Sequence, residues 1–229
     1  LIDPEAKVLV LDAVDYVSRA GHKLAKALEQ FAELEIQGSV CLDVGASTGG
    51  FTDVLLRAGA SRVVAIDVGH EQMVKELRQN PRVICVEVVN TREMTLESLT
   101  SRTRRTFDEK SFNLVVADVS FISLTLVLPA VAKVAPNADM VLLIKPQFEV
   151  GKDSLNATGI VNDHRLRASA IAQVVECATS LGFGIRGLVK SELPGTHGNI
   201  EYLLWISSAR ERNASKWSNE IEAIAREGK

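Results

Sequence analysis

Leu42-Asp43-Val44-Gly45-Ala46-Ser47-Thr48-Gly49-Gly50-Phe51-Thr52 decides the fold. An apolar run ends in an acid, a glycine-rich turn follows, and a helical pattern begins at Phe51. That order reads as a strand, a loop and a helix N-terminus. Open backbone N–H groups and the helix dipole favour acceptor or anionic groups of a ligand there. Glycines let such a ligand approach the backbone. The spacing narrows the choice. A dinucleotide fingerprint, G-x-G-x-x-G, is matched at its ends by Gly45 and Gly50, but Ser47 stands at its middle glycine. No Gly-Lys-Ser/Thr follows, so a Walker A loop does not fit. The acid before the turn, Asp43, instead suits the ammonium of an amino-acid-like ligand.

Outward from this loop, strand-like and helical runs alternate. Strand patterns cover Val40–Val44, Val63–Asp67, Val83–Val89, Leu114–Asp118 and Met140–Ile144. Helical patterns lie between them, near Phe51–Ala58, Glu71–Arg78, Leu96–Thr103 and Ser123–Val134. A helix over Ser18–Phe31 precedes the loop, with Leu24, Ala27, Leu28 and Phe31 on one face. Near-continuous apolar strands separated by helices predict a parallel sheet covered on both faces. A long helix over His164–Leu181, strand runs at Gly184–Lys190 and Ile200–Ile206 resembling an antiparallel hairpin, and a surface helix over Ala214–Glu227 complete the pattern. The expected architecture is α/β, seven-stranded and mostly parallel, with an antiparallel last strand.

Ligands of such sheets bind beyond the carboxyl ends of the strands, so the residues ending each strand carry the functional reading. Asp67 ends the second strand and can accept both ribose hydroxyls of an adenosine, or simply cap a turn. Asn90, near the end of the third, can accept from an adenine amino group or form an Asx turn. Asp118 and Lys145 end the fourth and fifth; neither ionisable group is cheap to bury at such a place. Lys23 lies one turn into the first helix, and Glu201 lies within an apolar strand run. Basic groups cluster at Arg19, Lys23 and Lys26, at Arg102, Arg104 and Arg105, and at Arg165 and Arg167.

Length and composition bound the rest. A chain of 229 residues, 46% hydrophobic and 24% charged, is ordinary for one α/β domain. A formal net charge of -3 supplies no global field for nucleic acid, which would need local patches or another domain. Cys41, Cys85 and Cys177 are odd in number and far apart, which predicts free thiols in a reducing cytoplasm. The four histidines show no metal spacing. No apolar run approaches the ~20 residues of a membrane helix.

The order Lys23, Asp118, Lys145, Glu201 is similar to the Lys-Asp-Lys-Glu tetrad of FtsJ-like ribose 2′-O-methyltransferases. The glycine loop resembles the S-adenosylmethionine loop of class I methyltransferases. Ser18-Arg19-Ala20-Gly21-His22-Lys23-Leu24, Asp43 to Thr52, Asp118-Val119-Ser120-Phe121-Ile122-Ser123-Leu124, Lys145-Pro146-Gln147-Phe148-Glu149 and Gly198-Asn199-Ile200-Glu201-Tyr202 resemble the TlyA family, also called hemolysin A. The resemblance covers residues 15–207. It implies a class I, Rossmann-like fold, S-adenosylmethionine as cofactor, and ribose methylation of cytidine in ribosomal RNA. It implies a catalytic set of Lys23, Asp118, Lys145 and Glu201. It implies cofactor contacts from Asp43, Gly45, Ala46, Ser47, Thr48, Gly49, Gly50, Phe51, Asp67, Val68, Asn90 and Asp118, and no metal. Arg19, Lys26, Arg165 and Arg167 are the expected RNA contacts, with rRNA or ribosomal subunits as partner and no membrane. Residues 1–15 read as the end of an S4-like RNA-binding domain and its linker, residues 16–210 as the methyltransferase domain, and residues 211–229 as a C-terminal surface helix.

In that chemistry Lys145 is base or alkoxide stabiliser. A free lysine has pKa about 10.4; a Lys23 ammonium nearby pushes it down and the two acids pull it up, which leaves both roles open. A small-molecule methyltransferase on the same fold would explain the glycine loop and Asp67 but not two lysines with two acids. A membrane-lytic protein, as the hemolysin name suggests, would call for an amphipathic membrane-seeking stretch, and none is seen.

Overall fold

The computed structural model describes residues 15–151, 155–209 and 214–227. The stretch read as a linker, residues 1–14, lies outside them. Seven strands form one sheet in the order β3-β2-β1-β4-β5-β7-β6. They are β1 (Val40–Val44), β2 (Arg62–Ile66), β3 (Val83–Val86), β4 (Leu114–Ala117), β5 (Asp139–Ile144), β6 (Gly184–Lys190) and β7 (Tyr202–Ser207). The first five run parallel, and β7 lies antiparallel between β5 and β6. The expected fold class is the one observed.

Strand side chains alternate between two cores, as the period of two demands. Leu42, Val44, Val64 and Ile66 face one side, and Cys41, Val63 and Ala65 face the other. The second side is covered by α1 (Arg19–Gln30), α2 (Gly50–Arg57) and α3 (Lys75–Arg78), through Leu24, Phe51, Leu55 and Leu77. The first is covered by α4 (Leu96–Thr103), α5 (Leu124–Val134), α7 (His164–Ser180) and α8 (Ser218–Arg226), through Leu99, Leu128, Val174 and Ile221. Each such side chain, once buried, contributes roughly 1.5–3 kcal/mol before the entropy of ordering is subtracted.

Two local readings change. The helix expected over Glu71–Arg78 is only the four residues of α3, since Glu71 takes φ 53 and breaks the run. A short helix, α6 (Pro146–Glu149), follows Lys145 directly, with proline at its first position.

Chain direction sets the site. From β1 the chain runs to β2 and β3 on one side, then returns to β4 and β5 on the other. The switch point therefore lies between β1 and β4, beyond their carboxyl ends. Because β7 is antiparallel, its start lies at that same edge; Tyr202 pairs with Ile144, which places Glu201 beside Lys145 at the sheet rim.

Candidate active site

At the switch point the loop after β1 meets the turn after β4. Gly45 takes φ +82, and a Cβ there would lie 2.6 Å from the Asp118 carbonyl oxygen, so only glycine fits. Ser47, at the dinucleotide fingerprint's middle glycine, also takes a left-handed φ of 46. Its N–H donates to Asp67 Oδ2 at 2.8 Å. Gly50 opens α2 against the start of α1: a Cβ there would lie 2.9 Å from Gly21 N. That close approach seats Lys23 over the loop.

The result is a two-lobed cavity. One lobe, about 390 Å³, is lined by Arg19, Lys23, the loop residues Gly45, Ala46, Ser47, Thr48, Gly50 and Phe51, and then Asp118, Ser120, Lys145 and Glu201. The other, about 420 Å³, is lined by Asp67, Val68, Gln72, Asn90, Thr91, Val119, Phe121, Ile122 and Val127. Gly45, Ser47, Asp118 and Ser120 belong to both.

All four tetrad residues meet in the first lobe, as two ion pairs. Lys23 Nζ donates to Glu201 Oε2 at 2.6 Å. Lys145 Nζ lies 2.6 Å from Asp118 Oδ1, a charge contact without the angle of a hydrogen bond, and donates to Ser120 Oγ at 2.7 Å. Lys145 is 9% exposed and Glu201 2%. Charges so withdrawn from water persist only when paired, and here each lysine has its own carboxylate. Glu201 immediately precedes β7 instead of lying within the strand run. Gln147 Nε2, in α6, approaches its second oxygen at 3.4 Å.

In the second lobe, Asp67 accepts from Ser47 N at 2.8 Å and from Gly69 N at 2.6 Å. Its carboxylate is thus fixed at the rim before any ligand arrives. Asn90 forms the Asx turn: its Oδ1 accepts from Arg92 N and its Nδ2 donates to Glu93, while the residue still lines the lobe.

Three expected contacts are corrected. Asp43 lines neither lobe. It is fully buried in β1, where Thr52 Oγ1 donates to its Oδ2 at 2.6 Å and its Oδ1 has no hydrogen-bond partner among the described residues, so it anchors the first turn of α2. Burial pushes its carboxyl up to about 7, against the Thr52 bond, and the Asp118 charge adds to the rise. Gly49 also lines neither lobe; a Cβ there would meet Leu77 Cδ1. Arg167 is no RNA contact. It is 4% exposed, and its guanidinium donates to Tyr202 Oη and to the carbonyls of Val161, Asn162 and Ala225. Helical rotation of about 200° over two residues points Arg165 outward and Arg167 inward. Arg19 lines the first lobe and reaches Pro194 O at 3.4 Å. Lys26 is exposed and paired with Glu29 outside the cavity.

Ser120, Gln147 and Thr52, with Gln72 and Thr91 in the second lobe, are polar residues not found from sequence. Ser120 and Gln147 each lie two positions beyond a tetrad residue, which is the signal that was present. Among the described residues no cluster of three or more His, Cys, Asp or Glu could hold a metal, and no helix is long and apolar enough to cross a membrane.

The FtsJ-like methyltransferase family model matches residues 16–208. A 16S/23S rRNA (cytidine-2′-O)-methyltransferase, TlyA, of Mycobacterium tuberculosis is 46% identical over 215 residues, 93% of this chain and 76% of that protein. Hemolysin A of Brachyspira hyodysenteriae is 41% identical over 85% of this chain and 78% of its own. A solved structure of a Streptococcus thermophilus protein that carries the hemolysin name superposes with a TM-score of 0.83 at 38% identity, covering 93% of this chain and 74% of the other. With the family model spanning nearly the whole sheet and both lobes of the cavity, the chain belongs to the FtsJ-like methyltransferase family.

Proposed function

We propose that this enzyme transfers a methyl group from S-adenosylmethionine to a ribose 2′-hydroxyl, with cytidine of ribosomal RNA as the target nucleoside. One observation carries the reading: two lysine–carboxylate pairs face the same cavity as the glycine loop. A small-molecule methyltransferase would need the loop and Asp67 but not this paired set. The named target of the Mycobacterium tuberculosis relative supports ribosomal RNA.

The residues present fit the cofactor. Gly45 lets the loop after β1 close against the Asp118 backbone, and both residues line the two lobes. Asp67 has its carboxylate fixed at the rim by two N–H groups. Asp67, Val68 and Asn90 would hold the adenosine, and Gly45, Ala46, Ser47, Thr48 and Gly50 with Asp118 would hold the methionine end. When bound, S-adenosylmethionine supplies a methyl group on a positively charged sulfur.

The chain's own residues must make a poor nucleophile react. Lys145 Nζ, projecting into the cavity, holds the ribose 2′-oxygen. As an amine it takes the hydroxyl proton; as an ammonium it steadies the growing charge on oxygen. Asp118 and Ser120 fix where that nitrogen sits. Lys23, held by Glu201, supplies a second positive charge in the same lobe. Orientation of this kind removes much of the entropic part of the barrier.

RNA approaches over the rim near Arg19, with Lys26 and Arg165 as outlying phosphate contacts. The proposed organisation is a catalytic domain over residues 16–210, a C-terminal helix within 211–229, and residues 1–15 as the link to an S4-like RNA-binding domain, acting on ribosomal subunits in the cytoplasm.

The test compares wild type with Lys145→Ala, using isotope-labelled cofactor and ribosomal subunits. The variant should lose about 10³-fold in transfer and keep cofactor affinity within about threefold, the loss expected of roughly 0.6 kcal/mol. Transfer by Lys145→Ala at near wild-type rate would exclude this lysine from the chemistry.

A further inference from the structure

We propose that Ser120 is a positioning residue that aims Lys145 at the substrate, an inference that rests on the methyl-transfer reading above. Nζ of a lysine is tetrahedral: one vertex is bonded to carbon, and three remain for N–H groups or a lone pair. One of the three is committed: Nζ donates to Ser120 Oγ at 2.7 Å. Asp118 Oδ1, 2.6 Å away, supplies charge without the angle of a hydrogen bond and so fixes no vertex. Asp118, Ser120 and Lys145 all line the same lobe, so the hydroxyl sets how the amine meets it. Asp118 alone would leave the amine free to rotate about its Cε–Nζ bond. The serine hydroxyl removes that freedom in either protonation state, because its oxygen accepts from an amine or an ammonium alike.

The surroundings leave no other group to do this. Phe148 lies with its ring centroid 6.0 Å from Nζ and offers only its face. Of the remaining charged groups lining the lobe, Glu201 is held by Lys23, and Arg19 reaches toward Pro194. The hydroxyl's position is itself fixed by the backbone. Ser120 sits between Val119, 9% exposed and packed in the core, and Phe121, which takes φ +66. The Ser120 side chain makes no other hydrogen bond among the described residues.

Ser120→Ala and Ser120→Thr separate this role from a structural one, and two readouts separate it from the methyl-transfer reading. The first needs no substrate: the rate of trace acetylation of Lys145 by acetic anhydride at one fixed pH, read by mass spectrometry. Loss of the hydrogen bond frees the nitrogen to turn toward the reagent, so Ser120→Ala should be labelled about fivefold faster, and Ser120→Thr should restore the wild-type rate. The second is methyl transfer to ribosomal subunits at saturating cofactor, which Ser120→Ala should slow about tenfold, a loss of one hydrogen bond's worth of alignment. An unchanged labelling rate in Ser120→Ala, or a Ser120→Thr protein as impaired as Ser120→Ala, would overturn the proposal. Wild-type protein that transfers no methyl to RNA would sink the methyl-transfer reading, while the acetylation rate would still decide whether Ser120 governs Lys145.

Discussion

The two lobes of the cavity are built in opposite ways. The lobe of Asp67, Val68 and Asn90 is laid out by consecutive strand ends: β1, β2 and β3 deliver their loops side by side, and backbone N–H groups hold the acid in place. The lobe of Lys23, Asp118, Lys145 and Glu201 is assembled from positions up to 178 residues apart, joined by side-chain charge pairs. One is a backbone cradle; the other is a set of buried ion pairs. The contrast teaches that a parallel sheet supplies a ligand site almost for nothing at its switch point, whereas a reactive site needs long-range contacts that only the complete fold brings together.

Three substitutions probe that division, in order of expected effect. Arg167 supports the reactive lobe from behind, by holding Tyr202, the residue after Glu201, together with the end of α8. Arg167→Ala leaves buried acceptors unpaired and should cost about 3 kcal/mol of stability, read as a drop in denaturation midpoint. An RNA-affinity loss at unchanged stability would restore the phosphate-contact role that burial denies it. Next, Asp67→Ala should weaken cofactor binding by about 2 kcal/mol, roughly 30-fold, measured by calorimetry, with the transfer rate at saturating cofactor little changed. Equal loss in both would show that the lobes do not act separately.

Taken per pH unit, the smallest effect is a slope of at most about 1.4 kcal/mol for a single group. The Asp43 carboxyl is raised in the folded protein to about 7 from 3.8. Its contribution to stability is therefore fully present below pH about 4 and lost as pH rises through about 7. Asp43→Asn cannot ionise, so its stability relative to wild type should improve from pH 4 to about pH 7 and level off above it. A constant difference across that range would mean that burial does not hold this acid in its neutral form.

The binding lobe was far more legible in the sequence than the reactive one. β1 occupies Val40–Val44, as the apolar run predicts, and β2 and β4 stop one residue short of Asp67 and Asp118, leaving both acids free at the rim. Hydrophobic period and turn chemistry are local signals, so they survive in the sequence. The four ionisable residues of the reactive lobe are identified by resemblance to a tetrad; periodicity alone places Lys23 one turn into the first helix and says nothing of Glu201. Pairing of Lys23 with Glu201 depends on β7 running antiparallel beside β5, which no local pattern encodes. Ser120 escaped notice because a serine beside an acid is common in turns. Arg167 was misread although it sits on the apolar stripe of α7 with Ile171, Val174 and Ala178, at helical spacing. Asp43 was misread because an acid ending a strand resembles a ligand contact until Thr52 is seen to occupy it.

The central claim is that the paired lysines act on a ribose oxygen. It is tested most directly by where the methyl group goes. Ribosomal RNA incubated with the enzyme and isotope-labelled S-adenosylmethionine would be digested to nucleosides and resolved by mass spectrometry. The account predicts label in 2′-O-methylcytidine, with the methyl retained on the ribose fragment. Label on a base, or on no RNA nucleoside at all, would contradict it.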